Sequence, residues 1–218
     1  TTDQVDVNVG VKERPTGNLM LGAGFSSTDK VVLSGSIQQQ NLFGSGKFLG
    51  LGLNTSKSNR VYSISYTDPY YTVDGISRGF DIYHKNLNTD SLASLATYGA
   101  RSTGAGLRYG VPVSEDDQIN FGLSIDRTVL DVTSSSPQRY QDYVEEYGNT
   151  TRTLLATAGW SKDTLDSRLY PTKGHITRIN GEIALPGGNL HYYRTSFQHQ
   201  RYFPLTRRFT LAVNGEVG

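Results

Sequence analysis

The residues that could carry chemistry in this sequence do not form a catalytic pattern. Four histidines, His84, His175, His191 and His199, stand far apart and lack the spacing of metal ligands. There is no cysteine, which excludes disulfides and thiolate metal sites. Serines are so numerous that a Ser/His/Asp trio can always be assembled, and such a trio therefore carries no weight. We predict no enzymatic activity, no metal site and no cofactor.

Charged residues recur at alternate positions of otherwise apolar segments. Alternation places them on one face of extended segments, and charges are tolerated there only if that face is wet or the charges are paired. The sequence favours a role in solvating or bracing an interior, with ion conduction as the alternative. The group consists of Asp81, Lys85, Arg108, Asp126, Arg178, Glu182 and Arg194.

The segment that organises the chain is residues 17–27, GNLMLGAGFSS, in which side chains alternate with a period of two. This period predicts a strand with one apolar face, and similar segments follow along the whole chain. A first strand is an edge whose free N–H and C=O groups must find a partner. The apolar face holds Leu19, Leu21, Ala23 and Phe25, and the other face holds Asn18, Met20, Gly22 and Gly24.

About eleven strands are predicted, separated by turn residues, and all seven prolines fall outside them. A helical turn is expected at 140–147, within the longest loop at 131–149. A long polar loop is expected at 87–97. The predicted strands are 17–27, 31–40, 47–55, 60–67, 76–86, 98–111, 119–130, 150–162, 175–185, 191–203 and 209–217.

These strands suit a membrane wall. Ten residues tilted by about 45° reach roughly 23 Å, close to the apolar band of outer-membrane barrels. The alternative is a soluble β-sandwich, whose outward face should be its charged face. Here the uncharged face persists through most strands. The exceptions are His199 and Arg201, which either reach the membrane interface or follow a bulge that resets the alternation.

Composition limits the other function classes. A net charge of +1 gives no nucleic-acid signal, so no such partner is predicted. No run of about 18 apolar residues is present, which excludes a transmembrane helix. The mean hydropathy of −0.44 is also compatible with a membrane barrel, because lipid-facing and lumen-facing side chains alternate.

The first 14 residues have a different character. Valines alternate with polar residues between Val5 and Val11, as in a strand of a soluble domain. Pro15 cannot donate to a ladder and interrupts this strand. We therefore predict a strand of a soluble domain at 1–14, a hinge at 15–17 that contains Pro15 and Gly17, and a main domain at 18–218.

Short motifs at the predicted turns resemble those of a known protein family. The sequence reads QQNLFGSG at 39–46 and YTDPYYTVDG at 66–75, followed by VPV at 111–113, GW at 159–160, YPTKG at 170–174 and FPL at 203–205. In this order the motifs resemble the BamA family, the central insertase of the bacterial outer-membrane β-barrel assembly machine. Residues 5–13 resemble the final strand of the last POTRA domain of that family.

The resemblance implies an all-β, antiparallel transmembrane barrel of 16 strands, integral to the outer membrane of Gram-negative bacteria, with a periplasmic N-terminus. Incoming barrel strands would add to the first strand at a lateral gate, here Asn18 to Phe25. The implied partners are unfolded outer-membrane proteins, accessory lipoproteins of the BAM complex, periplasmic chaperones, and outer-membrane lipid and lipopolysaccharide.

Two features of the family pattern are absent. The Arg-Gly-Phe/Tyr motif that the family carries on the loop folding back into the lumen is absent, and so are the last five strands, so the barrel is expected to be incomplete at the C-terminus. Two other functions stay open. A pore or secretion transporter of the same superfamily would use the lumen as its path, and an outer-membrane hydrolase would need clustered catalytic groups at the outer rim.

Overall fold

The computed structural model describes Gly10 and residues 15–88, 98–206 and 208–218, and over these ranges the chain is a wall of strands. One helix, α1, covers Gln138–Tyr147, and a short 3-10 turn covers Leu42–Gly44. The strands are β1 Gly17–Ser26, β2 Lys30–Gln39, β3 Phe48–Thr55, β4 Asn59–Asp68, β5 Ser77–Asn88, β6 Tyr98–Pro112, β7 Asp117–Val132, β8 Thr150–Asp163, β9 Gly174–Leu185, β10 Tyr193–Pro204 and β11 Thr210–Val217.

All eleven strands form one antiparallel sheet in chain order, each paired with the next. The predicted number and order of strands are confirmed, with boundaries that differ by a few residues. Over the described residues the sheet does not close on itself, because β1 and β11 are its two ends. The predicted strand at 1–14 lies outside the described residues, apart from Gly10, and so does most of the predicted loop at 87–97.

The apolar residues form continuous rows across the wall. Each member of a row lies opposite the next on the neighbouring strand, so the rows cover one face of the sheet. Their side chains are open to the surroundings; Ile125, for example, is 65% exposed. One row holds Leu19, Ile37, Leu51, Ile64, Ile82, Ala105, Ile125, Leu154 and Leu185.

The polar face is the concave one. Residues from β4 to β11 line a single cavity of about 740 Å³ on that side, including Thr67, Arg108, Asn120, Glu182, Arg194 and Glu216. Among the described apolar residues only Ala184, at 6% exposure, is shielded as a core residue would be. A sandwich would bury its apolar face in a dry interior. The soluble β-sandwich is therefore excluded, and the wall is apolar outside and polar within.

Two details correct the sequence prediction. Pro112 and Pro204 lie inside β6 and β10, as their last residues, so the prolines do not all fall outside the strands. Both sit at strand ends, where a missing N–H is tolerated. No bulge resets β10, because its register with β9 and β11 is continuous. His199 and Arg201 therefore share the outer face with Phe197.

The predicted helical turn is confirmed as helix α1, which follows Pro137 and ends before Gly148. Gly148 has a φ of 82° and a ψ of 168°, a backbone conformation open mainly to glycine, and its N–H donates to the carbonyl of Val144 at 2.9 Å as the helix ends. The ring of Tyr140 stacks on Tyr98 at 5.1 Å between centroids, which ties the helix to the start of β6. No helix within the described ranges is both long and apolar enough to cross a membrane.

The turn between β8 and β9 is held by Asp166. Its carboxylate accepts hydrogen bonds from the backbone N–H groups of Thr172 (2.9 Å) and Lys173 (3.1 Å), and from the Thr172 hydroxyl (2.5 Å). These bonds, led by the Thr172 hydroxyl, lower the pKa of Asp166 to about 2. Gly174 closes the turn at a φ of 103°, where a Cβ would lie 2.2 Å from the carbonyl oxygen of Thr164.

Candidate functional site

The candidate site is the free edge of β1. This strand pairs with β2 along its whole length, from Gly17 opposite Gln39 to Ser26 opposite Lys30. Within the described part of the chain no strand pairs with its other side, because β1 is the first member of the sheet. An unpaired edge presents a row of N–H and C=O groups that can bond to another chain.

The register decides which residues carry the free groups. In an antiparallel pair, successive residues direct their N–H and C=O groups alternately toward and away from the partner strand. The N–H of Gln40 donates to the C=O of Thr16 at 3.1 Å, so Thr16 faces β2, as do the even-numbered residues after it. The groups that face the open side therefore belong to Gly17, Leu19, Leu21, Ala23 and Phe25.

Side-chain bonds hold the β1 hairpin at its two ends. At one end the Gln39 amide donates to the Thr16 hydroxyl at 2.7 Å. At the other, the carboxylate of Asp29 accepts from the backbone N–H and the hydroxyl of Ser58, which lowers its pKa. This second contact ties the turn after β1 to the turn after β3. These side-chain bonds thus position the β1 edge from both of its ends.

The middle of β1 offers little side-chain packing. Gly22 and Gly24 lie on the concave face; a Cβ at Gly24 would have no heavy atom within 4 Å, whereas one at Gly22 would lie 2.5 Å from the Ser34 hydroxyl. On the outer face Leu21 is 80% exposed and Phe25 is 76% exposed. Glycines weaken a strand and permit close approach of another backbone.

The predicted interior charges lie on the concave face, most of them in pairs. Arg108 donates two hydrogen bonds to the carboxylate of Asp81, one of them at 2.9 Å. Arg194 and Glu182 form an ion pair at 2.9 Å. Arg178 donates to the side-chain oxygen of Gln198 at 3.2 Å.

Two further predicted charges extend this polar lining. Asp126 accepts hydrogen bonds from the hydroxyls of Tyr83 and Ser124, the latter at 3.1 Å. Lys85 is exposed and lies opposite Ser102 of β6. The paired charges brace neighbouring strands, which supports the structural role more than an ion path. The sequence did not indicate the Tyr83–Asp126 bond, because Tyr83 alternates in step with Asp81 and reads as one more inward polar residue.

The sequence also failed to bring two histidines together. The sequence analysis separates His175 from His199, yet the centroids of their rings lie 5.6 Å apart on the outer face. The contact arises because β9 and β10 pair with His199 opposite Thr177 and Arg201 opposite His175. Only the register of this hairpin, which depends on where the 186–192 connection turns, could have revealed it.

The predicted hinge stays a prediction. Pro15 precedes the sheet, and Thr16 already bonds to Gln40, whereas Gly17 is the first residue of β1 and lies opposite Gln39. The described residues contain no group of three or more His, Asp or Glu side chains that could hold a metal ion. The chemistry available at the β1 edge is backbone hydrogen bonding.

Comparison with known proteins places this wall in a family. Residues 41–218 match the model of the Omp85 superfamily domain. The chain belongs to the Omp85 superfamily. Its domain also resembles a solved structure, the crystal structure of BamA from Haemophilus ducreyi lacking POTRA domains 1-3, with a TM-score of 0.76 and 27% identity. That match covers 94% of this chain and 41% of the other.

Two relatives extend the Omp85 match. The outer membrane protein assembly factor BamA of Neisseria meningitidis serogroup B is 40% identical over 227 residues, which cover all of this chain and 28% of that protein. BamA of Nitratidesulfovibrio vulgaris is 28% identical over 96% of this chain and 26% of that protein. The Omp85 chain thus spans about a quarter of these relatives. The predicted resemblance, the all-β barrel wall and the outer-membrane location are confirmed.

Proposed function

We propose that this Omp85 wall is the leading part of an outer-membrane protein assembly factor, which folds and inserts β-barrel proteins by templating their strands on β1. The observation that carries the proposal is the register of β1, which directs the N–H and C=O groups of alternate residues away from β2. The relatives named as outer membrane protein assembly factors support the same role.

Strand addition suits substrates of many sequences. Five residues of β1, from Gly17 to Phe25, each offer one N–H and one C=O, and these groups bond to any backbone regardless of its side chains. Unpaired backbone groups cost several kcal/mol each in the hydrocarbon region, so the first strand of an incoming barrel gains by pairing there. The reaction makes and breaks hydrogen bonds only, and we propose no enzymatic activity.

The proposal includes an orientation and partners. We infer that the end of the wall next to Pro15 faces the periplasm. There a POTRA domain, whose last strand we place at 1–14, would deliver unfolded outer-membrane proteins through the hinge at 15–17. Periplasmic chaperones and the accessory lipoproteins of the BAM complex are the further partners. The paired charges Asp81–Arg108 and Glu182–Arg194 keep the wall in shape while β1 exchanges partners.

Cysteine crosslinking in the full-length protein tests the β1 edge. In an antiparallel pair, side chains approach more closely at the residues that do not exchange hydrogen bonds. For a guest on the free edge these are the even-numbered residues, so Met20→Cys should form disulfides with a substrate strand more readily than Leu21→Cys. Ser36→Cys is the matched control, because Ser36 lies opposite Met20 on β2, away from the edge.

The outcomes separate the candidates. Crosslinks that alternate along β1 and are absent at Ser36→Cys support templating. No crosslink at any position from Asn18 to Phe25 would contradict it. The pore or transporter alternative is favoured by the polar cavity alone. Blocking that cavity while leaving β1 free would stop transport through a pore and would leave strand templating largely intact.

A further inference from the structure

The outer face carries a basic cluster at the end of the wall near the β8–β9 turn. The cluster consists of His175 on β9 and His199 and Arg201 on β10. His175 lies directly opposite Arg201 across the two strands, and the two imidazole rings are 5.6 Å apart. The same face carries apolar rows further along the strands, and the His199 row also holds Thr177, Lys162 and Asp117.

Threonines fix both imidazole rings. Nδ1 of His175 lies 3.0 Å from the hydroxyl of Thr164, and Nδ1 of His199 lies 2.9 Å from the hydroxyl of Thr177. A ring whose Nδ1 accepts the threonine hydroxyl proton carries its own proton on Nε2, so it presents an N–H donor to a ligand there. The arrangement holds two donors beside a guanidinium.

The position of the cluster along the strands matches a membrane interface. The neighbouring row consists of Trp160, Ile179, Phe197 and Val217, each opposite the next. The row after it holds Ala158, Gly181 and Thr195, and the one beyond that holds Ile183 and Tyr193. Aromatic residues border the apolar band of outer-membrane barrels, and lipid headgroups lie at that level. His199 belongs to the first row beyond this aromatic border, and His175 and Arg201 belong to the second.

Space and charge both favour an anion. A Cβ on Gly215, which lies opposite His199 on β11, would have no heavy atom within 4 Å, so the surface beside the imidazole is open. Arg201 is exposed, with its guanidinium 5.0 Å from the centre of the Phe203 ring. The carboxylate in the His199 row, Asp117, is engaged by Lys162 at 3.1 Å.

We propose that His175, His199 and Arg201 form a binding site for the phosphate of an anionic phospholipid, whose acyl chains lie along Phe197 and Val217. Guanidinium and imidazole N–H donors match phosphate oxygens, and the adjacent apolar row matches the acyl chains. In the orientation proposed above for the wall, this site lies in the periplasmic leaflet, and that placement rests on the proposed function. The site itself rests only on the outer face being in contact with lipid.

Native mass spectrometry of the full-length protein, released from nanodiscs of mixed phosphatidylglycerol and phosphatidylethanolamine, tests the site. Wild type should retain phosphatidylglycerol in preference to phosphatidylethanolamine. Arg201→Gln and His199→Gln should each reduce that retention by about tenfold, the expected loss of one charge-assisted contact. The matched control is Arg127→Gln, which removes a cation from the same face at the opposite end of the wall.

Three results would overturn the proposal: equal retention of both lipids by wild type, equal retention of phosphatidylglycerol by Arg201→Gln and wild type, or displacement of the lipid by inorganic phosphate alone. The last result would mean a free-anion site. Circular dichroism and heat-modifiability on gels establish that each variant is folded. Crosslinking at β1 is measured separately in the same variants, so a failed lipid site and a failed templating proposal are distinguishable.

Discussion

The leading edge of the wall, strands β1 to β3, and its centre, strands β6 to β8, are built differently. Strands β1, β2 and β3 have 10, 10 and 8 residues, whereas β6, β7 and β8 have 15, 16 and 14. At about 3.3 Å per residue, the longest central strand extends roughly 20 Å further than β1. The central strands are long enough to extend beyond the apolar band of a membrane, whereas the leading strands are about long enough to span it.

Side-chain bonds follow the same division. The centre is cross-linked by Arg108–Asp81, Tyr83–Asp126 and Ser102–Thr128 across adjacent or next-nearest strands. Around β1 such bonds lie at the strand ends, at Thr16 and Asp29. Regions with few packed side chains open at the lowest free energy. The comparison indicates that the centre keeps the shape of the wall while the edge is free to exchange partners.

Proline substitution should give the largest difference between the two regions. Ala105 in β6 lies between β5 and β7, so Ala105→Pro removes a ladder bond and should destabilise the full-length protein by several kcal/mol. Ala23→Pro should cost less than about 1 kcal/mol, because that N–H faces the open edge. Urea unfolding in detergent micelles measures both. Equal losses would remove the distinction between edge and centre.

Removal of one hydroxyl from the centre should have a smaller effect. Tyr83→Phe takes a hydrogen bond from the carboxylate of Asp126, and bonds to charged groups contribute about 1.5–3 kcal/mol. The free energy of unfolding should fall by that amount. Tyr62→Phe is the control, since Tyr62 is 44% exposed on the outer face. A loss at Tyr62 that matched the loss at Tyr83 would count against a bracing network on the concave face.

The Asp81–Arg108 pair should contribute less again. Its side chains are 34% and 56% exposed, so solvent screens the attraction. A double-mutant cycle with Asp81→Asn and Arg108→Gln should give a coupling of about 0.2–1 kcal/mol, weaker at high salt. A coupling of several kcal/mol would show that the concave face is much drier than its exposure indicates.

The smallest effect concerns the β8–β9 turn at the base of the central region. Because the pKa of Asp166 is lowered to about 2, its stabilisation is complete above the unfolded value near 3.9 and is lost as pH falls through about 2. A spin label at Ser167 should gain mobility between pH 4 and 2. In Asp166→Asn the label should be mobile already at neutral pH and independent of pH. A pH-independent label in the wild type would contradict this account of the turn.

Most of the fold was predictable because alternation repeats in every strand. Leu19, Leu21, Ala23 and Phe25 define a face by their spacing alone, and prolines and glycines mark the turns. The antiparallel order followed from the short connections. The identity of the concave face also followed, since Arg108, Glu182 and Arg194 cannot face lipid without a large free-energy cost.

The features that the sequence did not reveal depend on the register between neighbouring strands. The free backbone groups of β1 could be assigned only once Gln40 was known to bond to Thr16. The meeting of His175 with His199 likewise depends on how β9 pairs with β10. A register shift of one residue would exchange the backbone groups of β1 that face β2 with those on its free edge. In the β9–β10 hairpin it would place His175 and His199 on opposite faces. The turn sequences do not fix the register to that accuracy.

The most direct test of the central claim uses a backbone donor on the free edge. In the full-length protein, Ala23→Pro removes one N–H that faces the guest, whereas Ala23→Val keeps it. Both variants are reconstituted into liposomes with an unfolded barrel substrate, and the yield of inserted substrate is measured. The account predicts that Ala23→Pro stays folded and loses most of its insertion yield, while Ala23→Val retains it. Full insertion by a folded Ala23→Pro protein would contradict the claim that β1 templates its substrates through its open backbone edge.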